Sequence, residues 1–220
     1  MKLYSGPLGM FGAKAEIAAL EKGVQFELVM VPFEMATLYE PKHPEVLRIN
    51  PKRQVPVLVD GDLELFDSTR IFEHFETLKP EPALWPAEPR VRALACLLEH
   101  KSDEVHFPTI VRLMGLQDTP DDPAAIEARA GSAAFYDELD RTSGAGQWLA
   151  GSHSYADIAF YMAQLFGARM VALMNETHPR LLAWRHRMSA RPAVARVAGA
   201  MARYPRGQGC KLPAFLQALS

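Results

Sequence analysis

The rhythm of apolar and polar positions changes near residue 80. Before it, short apolar runs alternate with helical periodicities. "KLYS" (residues 2–5) and "VQFELVMV" (24–31) predict strands, the second ended by Pro32. Between them Ala13–Lys22 predicts a helix with Ile17 and Leu20 inward, closed by Gly23. "PEVLRI" makes a helical turn or two. "VPVLV" and "LELF" flank Asp60-Gly61-Asp62, and Asp-Gly between apolar runs is a strong hairpin signal. "DSTRIFEHFETL" then puts Ile71, Phe72, Phe75 and Leu78 on one face of an amphipathic helix. The order βαβαββα predicts an α/β unit: a parallel βαβ joined to an antiparallel hairpin, with helices covering the sheet.

"KPEPALWPAEP" carries four prolines and reads as a linker. After it only helical patterns occur. Arg90 to about Gly115 predicts one long helix bent or interrupted near Pro108, and Ala124–Leu139 a second. Ser154 to about Leu173 is apolar on nearly all sides, as befits the middle of an all-α helical bundle. Pro179–Ala190 and Pro192–Tyr204 each begin with the proline that suits a first helical turn. The expected organisation is an α/β domain over 1–79, a linker over 80–89 and an all-helical domain over 90–220, without internal repeats.

Composition narrows the setting. The 220 residues are 49% hydrophobic and 23% charged, ordinary values for a soluble globular protein. "MKLYSGPLG" turns polar too early for a signal peptide, and no run approaches the ~18 apolar residues of a membrane span. Cys96 and Cys210 are too few for a disulfide scaffold and wrongly spaced for zinc, so no metal is expected and a reducing cytoplasm is the natural location. Cys96 reads as core packing and Cys210 as an exposed thiol in a polar tail. The net charge of −2 offers nucleic acid no general attraction. From Arg180 onward, however, there are eight Lys/Arg and no Asp/Glu, leaving 16 minus 26, or −10, for the rest. That asymmetry reads either as solvated helix faces or as a basic rim for an anionic partner.

Three segments carry candidate chemistry. "YSGPLGMFGAK" (4–14) runs from a strand tip through three glycines into a helix, whose free N–H groups suit an anion. In "NPKRQVPVL", Pro56 interrupts an apolar run; as a cis proline it would turn the N–H and C=O of Val55 outward, to pair with a bound peptide. Asp67-Ser68 opens a helix, where the Ser68 N–H can meet a carboxylate and Asp67 an ammonium group. A turn and a cap are the plain alternatives for the last two. Together they suit a peptide-like ligand with a free amine and a free carboxylate.

"INPKRQVPVLVDGDLELFDSTRIFEHFE" resembles the glutathione-binding half of cytosolic glutathione transferases, whose usual pattern is N-P-x-x-Q-V-P-x-L followed by E-S at a helix start. "GSHSYADIAF", with Ser154 and Asp157 placed as a capping box, and "HPRLLAWRHRMSARPAV" resemble the family's later signatures in the same order. The resemblance spans the chain. It implies a thioredoxin-like N-terminal domain, a helical C-terminal domain, usually a homodimer, and glutathione as co-substrate. Gln54, Val55, Asp67 and Ser68 would hold glutathione, with Pro56 cis. Lys42 lies where the family often places a base for the glycine carboxylate. Asp103 falls near where a partner subunit often offers an acid to the ligand amine; a solvated helix residue is the equal alternative. Asp67 stands where the family has glutamate.

The anion at the glycine loop would then be the glutathione thiolate. The position where serine classes carry their hydroxyl is Gly9, and the cysteine of a bacterial class would fall at Met10. Three routes remain open. Backbone N–H groups of Met10, Phe11 or Gly12 can hold the thiolate, with Gly9 allowing close approach. Ser5 or Tyr4 can donate instead, but only one of them, because strand neighbours face opposite ways. Or glutathione is bound without catalysis. Phe11, His106, Phe107, Arg112 and Met114 are candidates for a small, mainly apolar electrophile, His106 by analogy with an acid-x-His sequence of the bacterial class. The expectation is a glutathione transferase, with conjugation, displacement, peroxide reduction and isomerisation undivided. A non-catalytic glutathione-binding or protein-interaction module is the alternative.

Overall fold

The computed structural model describes residues 1–142, 146–207 and 213–219. Strands β1 (Lys2–Ser5), β2 (Glu27–Met30), β3 (Val57–Asp60) and β4 (Leu63–Phe66) form one sheet in the order β2-β1-β3-β4. β1 pairs parallel with β2 and antiparallel with β3, and β3 pairs antiparallel with β4. With α1 (Met10–Glu21), α2 (Pro44–Ile49) and α3 (Ser68–Leu78) this is the βαβαββα order. Alternation along β1 sends Leu3 into a core with Ala15, Ala19, Leu58, Ile71 and Phe75 beneath α1 and α3. Tyr4 goes to the other face, with Val31, Val46 and Val57.

Helix α1 starts three residues before its apolar periodicity suggests. Met10 and every residue from Gly12 to Ala19 are buried, because the helix lies between the sheet and the helical half. A helix covered on two sides has no polar face for periodicity to reveal. A Cβ at Gly12 would collide with the Ser5 hydroxyl, so this glycine sets how closely α1 sits on β1.

The helical half comprises α4 (Pro89–His100), a π-helical segment (Lys101–His106), α5 (Phe107–Met114), α6 (Pro123–Thr142), α7 (Tyr155–Arg169), α8 (Pro179–Ser189), α9 (Pro192–Gly207) and a short α10 (Ala214–Gln217) that the sequence pattern missed. The expected break near Pro108 lies one turn earlier, as a π segment. Widening the ladder there leaves Pro108 in the first turn of α5, where a missing N–H costs nothing. α7 stops at Arg169, short of Leu173: Val171 takes φ 63° and the Ala172 N–H donates back to the Gly167 carbonyl at 2.8 Å. Its other end is held by Asp157, which accepts from Ser154 N (2.9 Å), Leu149 N (3.0 Å) and Trp184 Nε1 (2.8 Å). The carboxylate therefore ties the capping box to the preceding loop and to α8.

One hydrophobic core runs through both halves, from Met10, Ile17 and Phe72 to Tyr155, Phe160 and Trp184. Tyr155 stacks on Phe72 with centroids 3.9 Å apart, and its hydroxyl donates to the Ser68 carbonyl at 3.1 Å. Cys96 is exposed on α4 rather than packed in the core, because Ala95 and Glu99 take the inward positions of that helix. Cys210 lies outside the described residues. Among those residues no helix is long and apolar enough to cross a membrane.

Candidate functional site

Two clefts meet at the N-terminus of α1. The first, about 130 Å³, is lined by Asn50, Lys52, Gln54, Val55, Pro56, Phe66, Asp67 and Ser68, with Asp103 and Glu104 opposite. The second, about 340 Å³, runs from Leu8–Phe11 past Tyr39, Lys42, His43 and Arg53 to Phe107, Val111, Met114 and Phe166. Phe11, Gln54 and Val55 border both. The first is polar and the second mainly apolar. A ligand with a charged end in one and its reactive group at the other would lie across the start of α1.

Local structure shapes the first cleft. Buried Asn50 donates to the Gln54 carbonyl at 2.6 Å and accepts from Lys52 N at 2.9 Å, which closes the turn with Arg53 at φ 56°. The Val55–Pro56 bond is cis, and β3 begins one residue later. Asp67 has φ 77° and caps α3: one oxygen, Oδ1, accepts from Thr69 N (3.0 Å) and Arg70 N (3.1 Å). Ser68, the first residue of α3, is buried beside it.

Behind the clefts lies a buried charge cluster. Lys14, fully buried on α1, pairs with Glu99 at 3.0 Å and with Asp103, and its Nζ stands 5.1 Å from the Tyr155 ring centroid. Thr69 donates to Glu99 at 2.6 Å. Burial opposes the charge of Lys14, yet Tyr155, Asp103 and Glu99 outweigh it and raise its pKa. Glu99 is held below the usual carboxylate range: burial resists, but Lys14 and Thr69 prevail. Burial, with repulsion from Glu99, pushes Asp103 up to about 6 against the pull of Lys14. Asp103 Oδ1 is buried with no hydrogen-bond partner among the described residues and borders the first cleft.

Residues 3–83 match the family model for the glutathione S-transferase N-terminal domain, and residues 103–192 match that for the C-terminal domain. The chain belongs to the glutathione S-transferase family. Glutathione S-transferase 3 of Zea mays is 30% identical over 220 residues, covering 91% of this chain and 94% of that protein. A stringent starvation protein A homolog of Coxiella burnetii is 35% identical over 103 residues, so the match spans about half of each chain (46% of both). A glutathione S-transferase from Rhodospirillum rubrum F11 shares the fold with a TM-score of 0.81, 23% identity, and coverage of 99% and 98% of the two chains.

Within this glutathione S-transferase fold, the candidate residues divide. Gln54, Val55, Pro56, Asp67, Ser68 and Asp103 border the first cleft; Gly9, Met10, Lys42, Phe107 and Met114 border the second; Phe11 borders both. Lys42 pairs with Glu40 at 2.8 Å. Asp103 reaches its cleft from its own chain. Gly9 caps α1 without a side chain, so the amides of the first turn have no side-chain acceptor there.

Other candidates fall elsewhere. Ser5 is 1% exposed and lines a third groove, beside Glu16, Arg196 and Tyr204, on the far side of the strand tip. Alternation that sends Tyr4 away from Ser5 sends it into the core against His43, with centroids 5.1 Å apart. Neither borders the two clefts. His106 is 1% exposed, stacked on Phe135 at 4.6 Å, with both ring nitrogens unpartnered among the described residues. Burial pushes its pKa down to about 3, so it stays neutral, and it borders neither cleft. Arg112 is exposed and turned away: Phe107, Val111 and Met114, spaced i, i+4 and i+7, form the cleft-facing stripe of α5, which residue 112 misses.

Among the residues lining the clefts, the sequence reading did not single out Asn50, Lys52, Glu104, Tyr39, His43, Arg53, Val111 or Phe166. The α5 spacing would have given Val111. The others sit in an irregular loop or arrive from distant elements. Phe107 meets Phe11 and Phe166 edge-on, each at 5.3 Å, a wall assembled from three segments.

Proposed function

We propose that this protein binds glutathione across the two clefts and uses its thiolate as a nucleophile towards a small, mainly apolar electrophile. The continuity of a polar and an apolar cleft at the start of α1 carries the reading. The γ-glutamyl end lies in the first cleft, its carboxylate against the Ser68 N–H and its ammonium against Asp67 and Asp103. Val55 pairs with the tripeptide backbone, Gln54 with its polar groups, and Lys42 with the glycine carboxylate. The sulfur then sits before the amides of Met10, Phe11 and Gly12, where hydrogen bonds and the helix dipole favour an anion. The electrophile packs on Phe107, Val111, Met114 and Phe166.

A cytoplasmic homodimer is part of this reading. Leu94 and Leu97 on α4 (46% and 53% exposed) and Leu78 at the end of α3 (51%) supply apolar surface for a second copy.

The test is calorimetric titration with glutathione, followed by turnover with an aryl halide. Binding is expected, and Asp67→Ala should weaken it about 10–100-fold, the cost of a charge-assisted contact. No binding by the wild type would overturn the reading. A second reading, a protein-interaction module, draws on the glycine at position 9 and on the partial match to a stringent starvation protein. It expects glutathione binding without turnover, and salt-sensitive retention on an anionic resin that is lost when Arg196, Arg203 and Arg206 are neutralised.

A further inference from the structure

Gly6 and Gly9 share one neighbour, Tyr39. A Cβ at Gly6 would overlap the phenol ring, with 2.5 Å to its oxygen, so the loop leaves that space for the ring. A Cβ at Gly9 would stand 3.5 Å from the same oxygen, in ordinary contact with it, with the Gly6 carbonyl and with Val55. The phenol oxygen thus enters the small volume where a hydroxyl carried by residue 9 would lie.

Tyr39 is held there from both sides of its loop. Glu34 and Leu38 exchange backbone hydrogen bonds (2.9 and 2.6 Å) just before it. Its ring packs on Phe33 at 4.7 Å; Phe33 in turn meets Tyr204 of α9 at 5.6 Å, and the Tyr204 hydroxyl donates to the Phe33 carbonyl at 2.9 Å. Tyr39 borders the second cleft; its oxygen is buried beside the Leu8 backbone, and no group among the described residues accepts its proton. A buried hydroxyl whose proton has no acceptor costs stability, so one kept at a cleft is suited to meeting a ligand.

We propose that the Tyr39 phenol is the side-chain donor that holds glutathione sulfur as a thiolate, in place of the hydroxyl that residue 9 lacks. This deepens the reading above and rests on it. On binding, the thiol proton leaves to solvent; the phenol keeps its own and donates it in a hydrogen bond to S⁻, beside the first amides of α1. Burial supports the donor role by pushing the phenol up to about 12, against the pull of the Leu8 backbone and Arg169.

The test compares wild type with Tyr39→Phe, which keeps the ring and its packing. Thiolate absorbance of bound glutathione is titrated with pH, and affinity for S-methylglutathione is measured alongside. In the wild type the bound thiol should titrate at least one pH unit below free glutathione. In Tyr39→Phe it should return most of the way, with at least tenfold less turnover near neutral pH and S-methylglutathione affinity within twofold. In Tyr39→Phe with Gly9→Ser, which returns a hydroxyl to the same volume, the low titration should recover; should Tyr39→Phe misfold, Tyr39→Leu is read in the same way, and a titration identical to the wild type overturns the proposal. A Tyr39→Phe titration identical to the wild type overturns it and leaves the amides as sole stabiliser. A wild type that binds both peptides with an unshifted thiol ends thiolate activation while glutathione binding stands. Absence of binding ends both.

Discussion

His106 sits among Phe135, Tyr136 and Phe160 with both ring nitrogens unpartnered among the described residues, and that environment ties the stability of the chain to pH. Its folded pKa of about 3 lies below the ordinary 6.5, so between these values the unfolded chain binds a proton that the folded chain refuses. The stability this represents is fully present above pH 6.5 and is lost as pH falls towards 3. At ~1.4 kcal/mol per pKa unit the loss amounts to several kcal/mol. Urea midpoints at pH 7 and pH 4.5 should differ less in His106→Phe than in the wild type. Some slope remains, because burial also lowers His153, to about 4. Equal slopes would remove His106 from the account. At this scale much of the candidate site was legible: Gln54, Val55, Pro56, Asp67 and Ser68 lie within fifteen consecutive positions, where spacing and turn chemistry speak directly. Tyr39 was not, because nothing in an irregular loop states which way a ring points.

Helix α1 joins elements of both halves through a buried charge cluster. Lys14 crosses from it to Glu99 on α4 and Asp103 in the π-helical segment, and Thr69 of α3 completes the cluster. Two carboxylates buried beside one ammonium tolerate its removal poorly, since breaking a buried ion pair leaves charge without compensation. Lys14→Ala should therefore lower unfolding free energy by about 3–5 kcal/mol, read from urea denaturation at pH 7. A loss below about 1 kcal/mol would mean that water or rearrangement screens the cluster. The sequence marks Lys14 only as a basic residue after a glycine loop. Its partners lie 85 and 89 positions away. Element existence was otherwise well legible, apart from α10 and the π-helical segment, whereas ends were not: α1 began early under burial on two sides, and α7 ended early at a left-handed valine.

At the scale of the molecule, the core that runs from Met10 and Phe72 into α7 and α8 makes the two halves a single packing problem. Exposing either half alone would uncover the faces of Phe72, Trp85 and Tyr155, which meet across the boundary. Calorimetry should accordingly record one cooperative transition, with calorimetric and van't Hoff enthalpies equal for the folding unit. Two separated transitions would show that the halves unfold independently.

By itself the sequence determined the element order, the βαβαββα unit, the helical half and the turn-and-cap motifs of the first cleft, because each depends on residues within a few positions of one another. Only the tertiary structure decided which side chains reach the start of α1. Placing Tyr39 there, and turning Ser5, His106 and Arg112 away, depends on strand facing, on helix rotation and on the space that glycines leave to distant rings. Those are properties of packing between segments, and no local pattern encodes them.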